Sequence, residues 1–252
     1  MTRRKIQLKN ERQLQQLRAA GKLVADTFAM IAPHVQPGVT TGELDRLVEA
    51  FIRTHGAEPS FKGYNGFTGS ICVAVNDVVV HGIPGDLTLR EGDIIGIDIG
   101  ARLDGWHGDA TITFPVGEID SESQRLMDVC EASLDAGIAQ SRAGNHLSDV
   151  SAATQKVVEA AGFNVVRNLF AHGVGRNLHE APSFPHYGEP GHGPRLREGM
   201  VYTIEPMIVA GSKEVDLLDD GWTIITCDGS RSAQFEHTIA ITSNGPLVLT
   251  AP

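Results

Sequence analysis

The sequence is poor in cysteine, in long apolar runs and in positive charge, and each shortage closes a class of explanation. Cys72, Cys130 and Cys227 are odd in number, far apart and free of any CxxC pairing, so neither a disulfide framework nor a zinc knuckle is expected. A reducing cytoplasm suits such a chain. Nowhere do about 18 apolar residues follow one another, and the opening MTRRKIQLKN lacks the apolar centre of a signal peptide. Membrane insertion and export are therefore not expected. The formal charge of −10 speaks against non-specific nucleic-acid binding. An excess of carboxylates also arises where acids are gathered to hold cations, and the motifs below favour that origin.

What is present is a globular composition and a repeated phrase. The 252 residues, 41% of them apolar, can bury one large core or two half-sized ones. LREGDIIGIDIG, from Leu89, returns a hundred residues later as LREGMVYTIEP, from Leu196, and each apolar run ends in one acid, Asp98 and then Glu205. The repeat reaches further back. GVTTGELDRLVEAFIRTHGAE, from Gly38, lines up with GNHLSDVSAATQKVVEAAGFN, from Gly144.

Both segments are amphipathic helices closed by glycine. Thr40 and Glu43 have capping-box spacing, Leu44, Leu47, Val48 and Phe51 recur at helical intervals, and Val150, Thr154, Val157, Val158 and Ala161 repeat the stripe. Short β-rich runs then lead to a His-Gly pair at His81 and at His172. Two more helices frame the repeat, one from Asn10 and one from Ser121, the latter with a Ser121/Gln124 capping pair. No linker long enough to separate independent domains interrupts the chain. The pattern predicts one α+β domain, residues 1–252, of two pseudo-symmetric halves at about 38–120 and 144–242, with a site at their seam.

The acids explain why the phrase is written twice. Asp104-Gly105 is a strong hairpin turn signal. If these two residues turn the chain, Gly100 pairs with Asp109 and Asp98 with Thr111, which puts Asp98 and Asp109 diagonally on one face, about 7 Å or less apart at Cβ. An isolated acid near a turn is commonly solvated. Asp98, however, ends the apolar IIGID, Glu205 ends VYTIE, and Glu236 lies inside AQFEHTIAIT, where unmatched charge costs several kcal/mol. Coordination accounts for these three acids, together with Asp109, better than solvation does.

Among the histidines, His34, His55, His107, His146, His186, His192 and His237 have no partner signal, and most are expected at the surface or in packing. His172 and His179 flank HGVGRNLH, whose glycines permit a tight turn and whose spacing matches no helical HExxH zinc site. His81 takes the corresponding place in the first half. These three are candidates for coordination or catalysis. Carboxylates with imidazole suit Mn²⁺, Fe²⁺, Co²⁺ or Zn²⁺ rather than structural zinc. Two divalent ions balance four carboxylates, whereas one leaves the cluster negative, so a paired site with a bridging water is the better electrostatic match.

Taken in order, VVVHGIP, GIDIGARLDGWHGDAT, FAHGVGRNLHEAP, YTIEP and SAQFEHT resemble the type I methionine aminopeptidases over nearly the whole chain. The resemblance implies the pita-bread fold, an antiparallel sheet with flanking helices. It implies that Asp109 and Glu236 bridge two metals, that Asp98 chelates one, and that His172 with Glu205 completes the other. It also implies that His81 and His179 are not ligands but contact the scissile amide and help protonate the leaving amine, with Glu205 counted among the catalytic groups. Tyr64, Phe67, Cys72, Leu178 and Trp222 would line the methionine pocket together with these two histidines. Asn65 stands where histidine is frequent in the family, and Leu178 where phenylalanine is; both changes touch substrate fit rather than the metals.

The implied activity is removal of the N-terminal methionine from nascent proteins and peptides, best before a small second residue. The implied partners are those N-terminal peptides, with the ribosome as a further one, and no membrane or specific nucleic acid; a cytoplasmic monomer is expected. The interval from His179 to Glu205 is too short for the helical insertion of type II members, and with its short polar start the minimal type I form, without an N-terminal zinc-binding or linker extension, is expected. The rival is a proline-specific dipeptidase or aminopeptidase on the same fold, which usually sets a separate domain ahead of the catalytic one. A non-enzymatic binding protein on this fold would be expected to have lost ligands, and all five are present.

Overall fold

The computed structural model describes residues 5–252; the first four residues of the polar opening segment lie outside the described residues. Helix α1, Glu11–Ile31, begins where Asn10 accepts a hydrogen bond from the Gln13 amide at 3.0 Å while the Gln13 side chain accepts one from the Asn10 amide at 2.9 Å, so two donors without helical partners are satisfied together. Helix α2, Thr41–Thr54, is capped by Thr40, which accepts from the Glu43 amide. Helix α3 spans Ser121–Gln140 and α4 spans Leu147–Ala160. Soon after α2 and α4 the chain passes through a left-handed glycine, Gly56 at φ +73° and Gly162 at φ +82°, as the glycine-closed pattern of both copies requires. The Ser121/Gln124 cap is corrected. Asp120 is the capping residue and accepts from the Ser123 amide at 2.8 Å, because a cap stands one position before the first helical residue and a carboxylate there also meets the positive end of the helix.

Between α2 and α3 run β1 (Glu58–Pro59), β2 (Ile71–Val75), β3 (Val78–Val80), β4 (Ile94–Leu103) and β5 (Trp106–Pro115). After α4 come β6 (Asn164–Val165), β7 (Ala171–Gly173), β8 (Glu180–Phe184), β9 (Val201–Ile204), β10 (Met207–Val209), β11 (Val215–Leu217), β12 (Ile224–Thr226), β13 (Ser232–Gln234), β14 (Glu236–Thr242) and β15 (Gly245–Val248). The order helix, helix, strands is thus run through twice.

Among the described residues the main sheet has nine strands in the order β1-β4-β5-β14-β9-β7-β8, with β2 paired to β4 and β15 to β14. Its named pairings are antiparallel. The β4–β5 hairpin has the register expected from its turn, Asp98 opposite Thr111 and Gly100 opposite Asp109. Asp104 and Gly105 both take positive φ, 51° and 78°, the type I′ geometry that matches strand twist. Two three-stranded sheets, β13-β10-β6 and β11-β12-β3, complete the β structure of the described residues.

Among the bodies of apolar side chains that join helices to the sheet, one lies in each half. The first joins Val24, Phe28 and Ile31 of α1 and Leu44, Val48 and Ile52 of α2 to Ile71, Ile95, Ile97 and Ile99 of β2 and β4. The second joins Leu134 and Val150 of α3 and α4 to Tyr202, Ile204, Ile239 and Ile241 of β9 and β14. The α1 helix lies on β5 so closely that a Cβ on Gly108 would come within 2.7 Å of the Ala20 and Gly21 backbone. With helices covering the sheet from both halves, the polar functional face is presented by the middle strands.

Candidate metal centre and substrate pocket

Five neighbouring strands each bring one acid or histidine to the same face of the sheet. Thr111 on β5 is the reference point, opposite Asp98 of β4 on one side and Glu236 of β14 on the other. Asp109 lies two residues from Thr111 and shares its face by the strand period of two. On β9 the same alternation sets Thr203 beside Glu205, which follows the strand, and the His172 amide of β7 donates to the Thr203 hydroxyl at 3.0 Å. Sheet order and pleat together gather residues that are far apart in the chain.

Their side chains converge. Asp109, His172 and Glu236 each offer an atom within 4.8 Å of one another; His172 Nε2 stands 3.6 Å from Asp109 Oδ2 and 3.7 Å from Glu205 Oε1. The Thr111 hydroxyl donates to Glu236 Oε2 at 2.8 Å, and the Thr203 hydroxyl donates to Glu205 Oε1 at 2.7 Å. Oδ1 of Asp98 and Oδ1 of Asp109 are buried with no hydrogen-bond partner. Buried carboxylate oxygens are normally satisfied, so two orphans in one cluster need an electrophile. Oxygen donors with one imidazole fit a divalent cation of the Mn, Fe, Co or Zn group.

Burial raises the Asp98, Asp109 and Glu205 carboxyls well above the carboxylate range, and the neighbouring Glu236 charge adds to each. Burial pushes Glu236 itself up to about 7. It lowers His172 to about 3, with the nearby His179 acting in the same direction. Such acids hold protons until a cation replaces them, whereas the imidazole is already neutral and free to bind one.

The cluster forms the floor of a cavity of about 310 Å³, which every residue singled out from the sequence lines: Asp98, Asp109, His172, Glu205 and Glu236 at the floor, and Tyr64, Phe67, Cys72, His81, Leu178, His179 and Trp222 in the walls. Phe61, Phe67, Cys72 and Leu178 pack as one buried apolar group with Trp222 against it. His81 holds a left-handed backbone, φ 60°, rare for a residue with a side chain. The adjacent Gly82 has no room for one, since its Cβ would fall 2.1 Å from the Val73 carbonyl oxygen. Burial, then the nearby His179, lowers His81 to about 4, and burial lowers His179, so both rings are neutral at pH 7. Asn65, the departure from the common family residue, also lines the cavity.

Several members of the site escape sequence reading. The Glu205 amide donates to Nε2 of the buried His186 at 2.9 Å, and Gln234 reaches toward Glu205 Oε2 at 3.5 Å. No local pattern marks His186, because its partner is a backbone group 19 residues away, just past the end of β9. Phe61 had a signal that went unused: Gly100 sits inside a strand, and a Cβ there would strike the Phe61 ring at 2.7 Å. A bare glycine in a strand often marks such an approach. Thr111 and Thr203 were also legible, one as the register partner of Asp98 and the other two residues before Glu205.

An antiparallel sheet whose middle strands converge on a buried acid and histidine cluster beneath an apolar slot is the architecture of a metallohydrolase. The sequence profile of metallopeptidase family M24 matches residues 15–243. Methionine aminopeptidase 1 of Bacillus subtilis (strain 168) is 53% identical over 96% of this chain and 98% of its own length, and a methionine aminopeptidase of Clostridium perfringens is 49% identical over 97% and 98%. The crystal structure of methionine aminopeptidase from Rickettsia prowazekii superposes with a TM-score of 0.97 at 44% identity, covering 98% of this chain and all of that one. Prolidase from Pyrococcus furiosus shares the fold alone, TM-score 0.80 at 22% identity over 97% of this chain and 65% of its own. The chain belongs to metallopeptidase family M24 and, within it, to the methionine aminopeptidases. Its fold is the pita-bread fold the motifs implied, and the proline-specific enzymes are more distant relatives.

Proposed function

We propose that this chain removes the N-terminal methionine from newly made proteins and peptides, with two divalent cations held by Asp98, Asp109, His172, Glu205 and Glu236. The observation that carries the reading is the pair of orphaned carboxylate oxygens on Asp98 and Asp109 in a cavity that Phe67, Cys72, Leu178 and Trp222 also line. When bound, the cations supply Lewis acidity and lower the pKa of an attacking water. Asp109 and Glu236, which with His172 each offer an atom within 4.8 Å of one another, would be shared between the two cations, with Asp98 holding one of them and His172 and Glu205 the other.

The remaining roles belong to the chain's own side chains. Phe67, Cys72, Leu178 and Trp222 receive the methionine side chain, and Tyr64 closes the rim. Glu205, whose Oε1 lies 3.7 Å from His172 Nε2 at the cluster, accepts a proton from the attacking water. His179 has its Nδ1 engaged by the Tyr64 hydroxyl at 2.8 Å; with that hydroxyl donating, Nε2 carries the hydrogen and can donate to the scissile amide. His81, a neutral ring in the cavity wall, can accept at one nitrogen as it donates from the other, and so relays the proton taken up by Glu205 to the departing amine. The described residues act as one catalytic unit, a cytoplasmic monomer that meets its substrates as they leave the ribosome.

A peptide comparison tests this reading. Methionine release from a methionyl-alanyl peptide, abolished by a chelator and restored by Mn²⁺ or Co²⁺, is expected, with no cleavage of a dipeptide ending in proline. Preferential cleavage of the proline peptide, or full activity in metal-free protein, overturns it.

A further inference from the structure

The loop between β7 and β8, residues 174–179, carries two wall residues of the pocket, Leu178 and His179, and its far side rests on a buried ion pair outside the metal cluster. Lys9 Nζ lies 2.6 Å from Glu180 Oε2, with only 3% and 8% of the two side chains exposed. Lys9 belongs to the segment ahead of α1, and its amide donates to the Gly199 carbonyl at 2.7 Å, while the Gly199 amide donates to Ile241 of β14. The lysine is thus fixed to the main sheet. Glu180 is the first residue of β8, paired with Gly173 at the base of the loop, and its Oε1 accepts from the Asn177 amide at 3.2 Å. Both charges press on Gly175, where a Cβ would lie 2.4 Å from Glu180 Oε1 and 2.6 Å from Lys9 Nζ.

We infer that the Lys9–Glu180 ion pair is a positioning device that sets the 174–179 loop against the pocket, so that the segment ahead of the first helix helps determine where His179 and Leu178 stand. Glu180 holds the loop from within through the Asn177 amide, and Lys9 holds Glu180 in place. A buried pair stripped of one partner leaves an uncompensated charge. After loss of Lys9 the Glu180 carboxylate must turn toward water, and it leaves the Asn177 amide when it does. The wall residues next to Asn177 then drift. Displacement by about 1 Å of a group that meets the substrate can cost roughly 10²-fold in rate.

The inference rests on the proposed aminopeptidase reading for its kinetic consequence but not for its structural one, so the test reads both. Lys9→Met and the double variant Lys9→Met/Glu180→Gln are compared with wild type by hydrogen–deuterium exchange over residues 174–180, by metal stoichiometry, and by kcat and KM on a methionyl-alanyl peptide. Lys9→Met should exchange faster across the loop, keep wild-type metal content, and lose roughly 10- to 100-fold in kcat/KM, with KM raised through Leu178 and kcat lowered through His179. The double variant, which removes the orphaned charge, should recover part of both losses. Unchanged loop exchange in Lys9→Met overturns the inference, as does an activity loss matched by metal loss. If Lys9→Met does not fold, a double variant with wild-type exchange and turnover overturns it, and one with a loosened loop and impaired turnover supports it. Wild-type protein inactive on the peptide would defeat the aminopeptidase reading alone, and exchange would still decide the role of the pair.

Discussion

The Tyr64 hydroxyl lies 2.8 Å from Nδ1 of His179, and the same imidazole ring stands 4.1 Å from that of His172, centroid to centroid. Tyr64 comes from the first half of the chain and His179 from the second, so one hydrogen bond spans the seam and fixes which nitrogen of His179 faces the cavity. A neutral imidazole donates from one nitrogen only. The Tyr64→Phe variant should therefore keep its metal and lose kcat by about three- to tenfold, the worth of one hydrogen bond. Turnover equal to wild type with saturating substrate would show that His179 needs no such restraint.

Glu236 accepts from Thr111 through Oε2, a bond that glutamine can also accept, so Glu236→Gln removes charge with little disturbance of the fold. A bridging position needs two anionic oxygens, and the variant should hold at least one ion fewer per chain and lose nearly all turnover. Elemental analysis after gel filtration reads the number directly; retention of the full complement would remove Glu236 from the bridge.

Much of this site was legible because it is built on a sheet. The Asp104-Gly105 turn fixes the hairpin register, the register puts Asp98 and Asp109 on one face, and apolar runs ending in acids mark where the core meets the acid cluster. Contacts between a side chain and a distant backbone group leave no such pattern. His186 supports the Glu205 amide from a loop, and Lys9 reaches Glu180 across most of the chain; neither has a periodic or spaced neighbour to announce it. The Asp120 cap was missed for a smaller reason, a shift of one position at the helix start. The separation of His81 from the ligand set likewise came from the family resemblance, since its His-Gly context copies that of His172.

His81 stands in the cavity wall with φ 60°, so its removal must be separated from relief of backbone strain. Asparagine tolerates the left-handed region better than alanine, which makes His81→Asn the cleaner substitution. Loss of a proton donor should lower kcat by about two orders of magnitude with metal content and melting temperature unchanged. Metal loss would instead make His81 a ligand, and turnover within a few-fold of wild type would make it structural.

The contact of α1 with β5 depends on Gly108. A methyl group there would lie 2.7 Å from the Ala20 carbonyl carbon and the Gly21 nitrogen, and the helix must lift to admit it. Overpacking of this kind costs about 1–3 kcal/mol, and in a domain of this size each kcal/mol lowers Tm by about 2–4 °C. Gly108→Ala should melt lower by about 5 °C, read by calorimetry on the metal-loaded protein; an unchanged Tm would mean that the helix and strand are less tightly apposed.

The metal cluster should also set how stability depends on pH. Burial raises Asp98, Asp109 and Glu205, and lifts Glu236 to about 7, against about 4 in an unfolded chain. The folded, metal-free protein therefore holds more protons than the unfolded one, so this contribution to stability is complete below about pH 4 and declines as pH rises, the part due to Glu236 being lost through about 7. A bound cation replaces those protons and compensates the charge, so the loaded protein escapes that loss. His81, His172 and His186 are pushed down to about 4, 3 and 3; they are neutral in both folded forms across this range and cancel in the difference. The gap in Tm between Mn²⁺-loaded and chelated protein should accordingly widen from about pH 5.5 to about pH 7.5. Melting curves of both forms across that range decide the matter: a gap that stays constant, or narrows, would mean that the carboxylates do not exchange protons for metal.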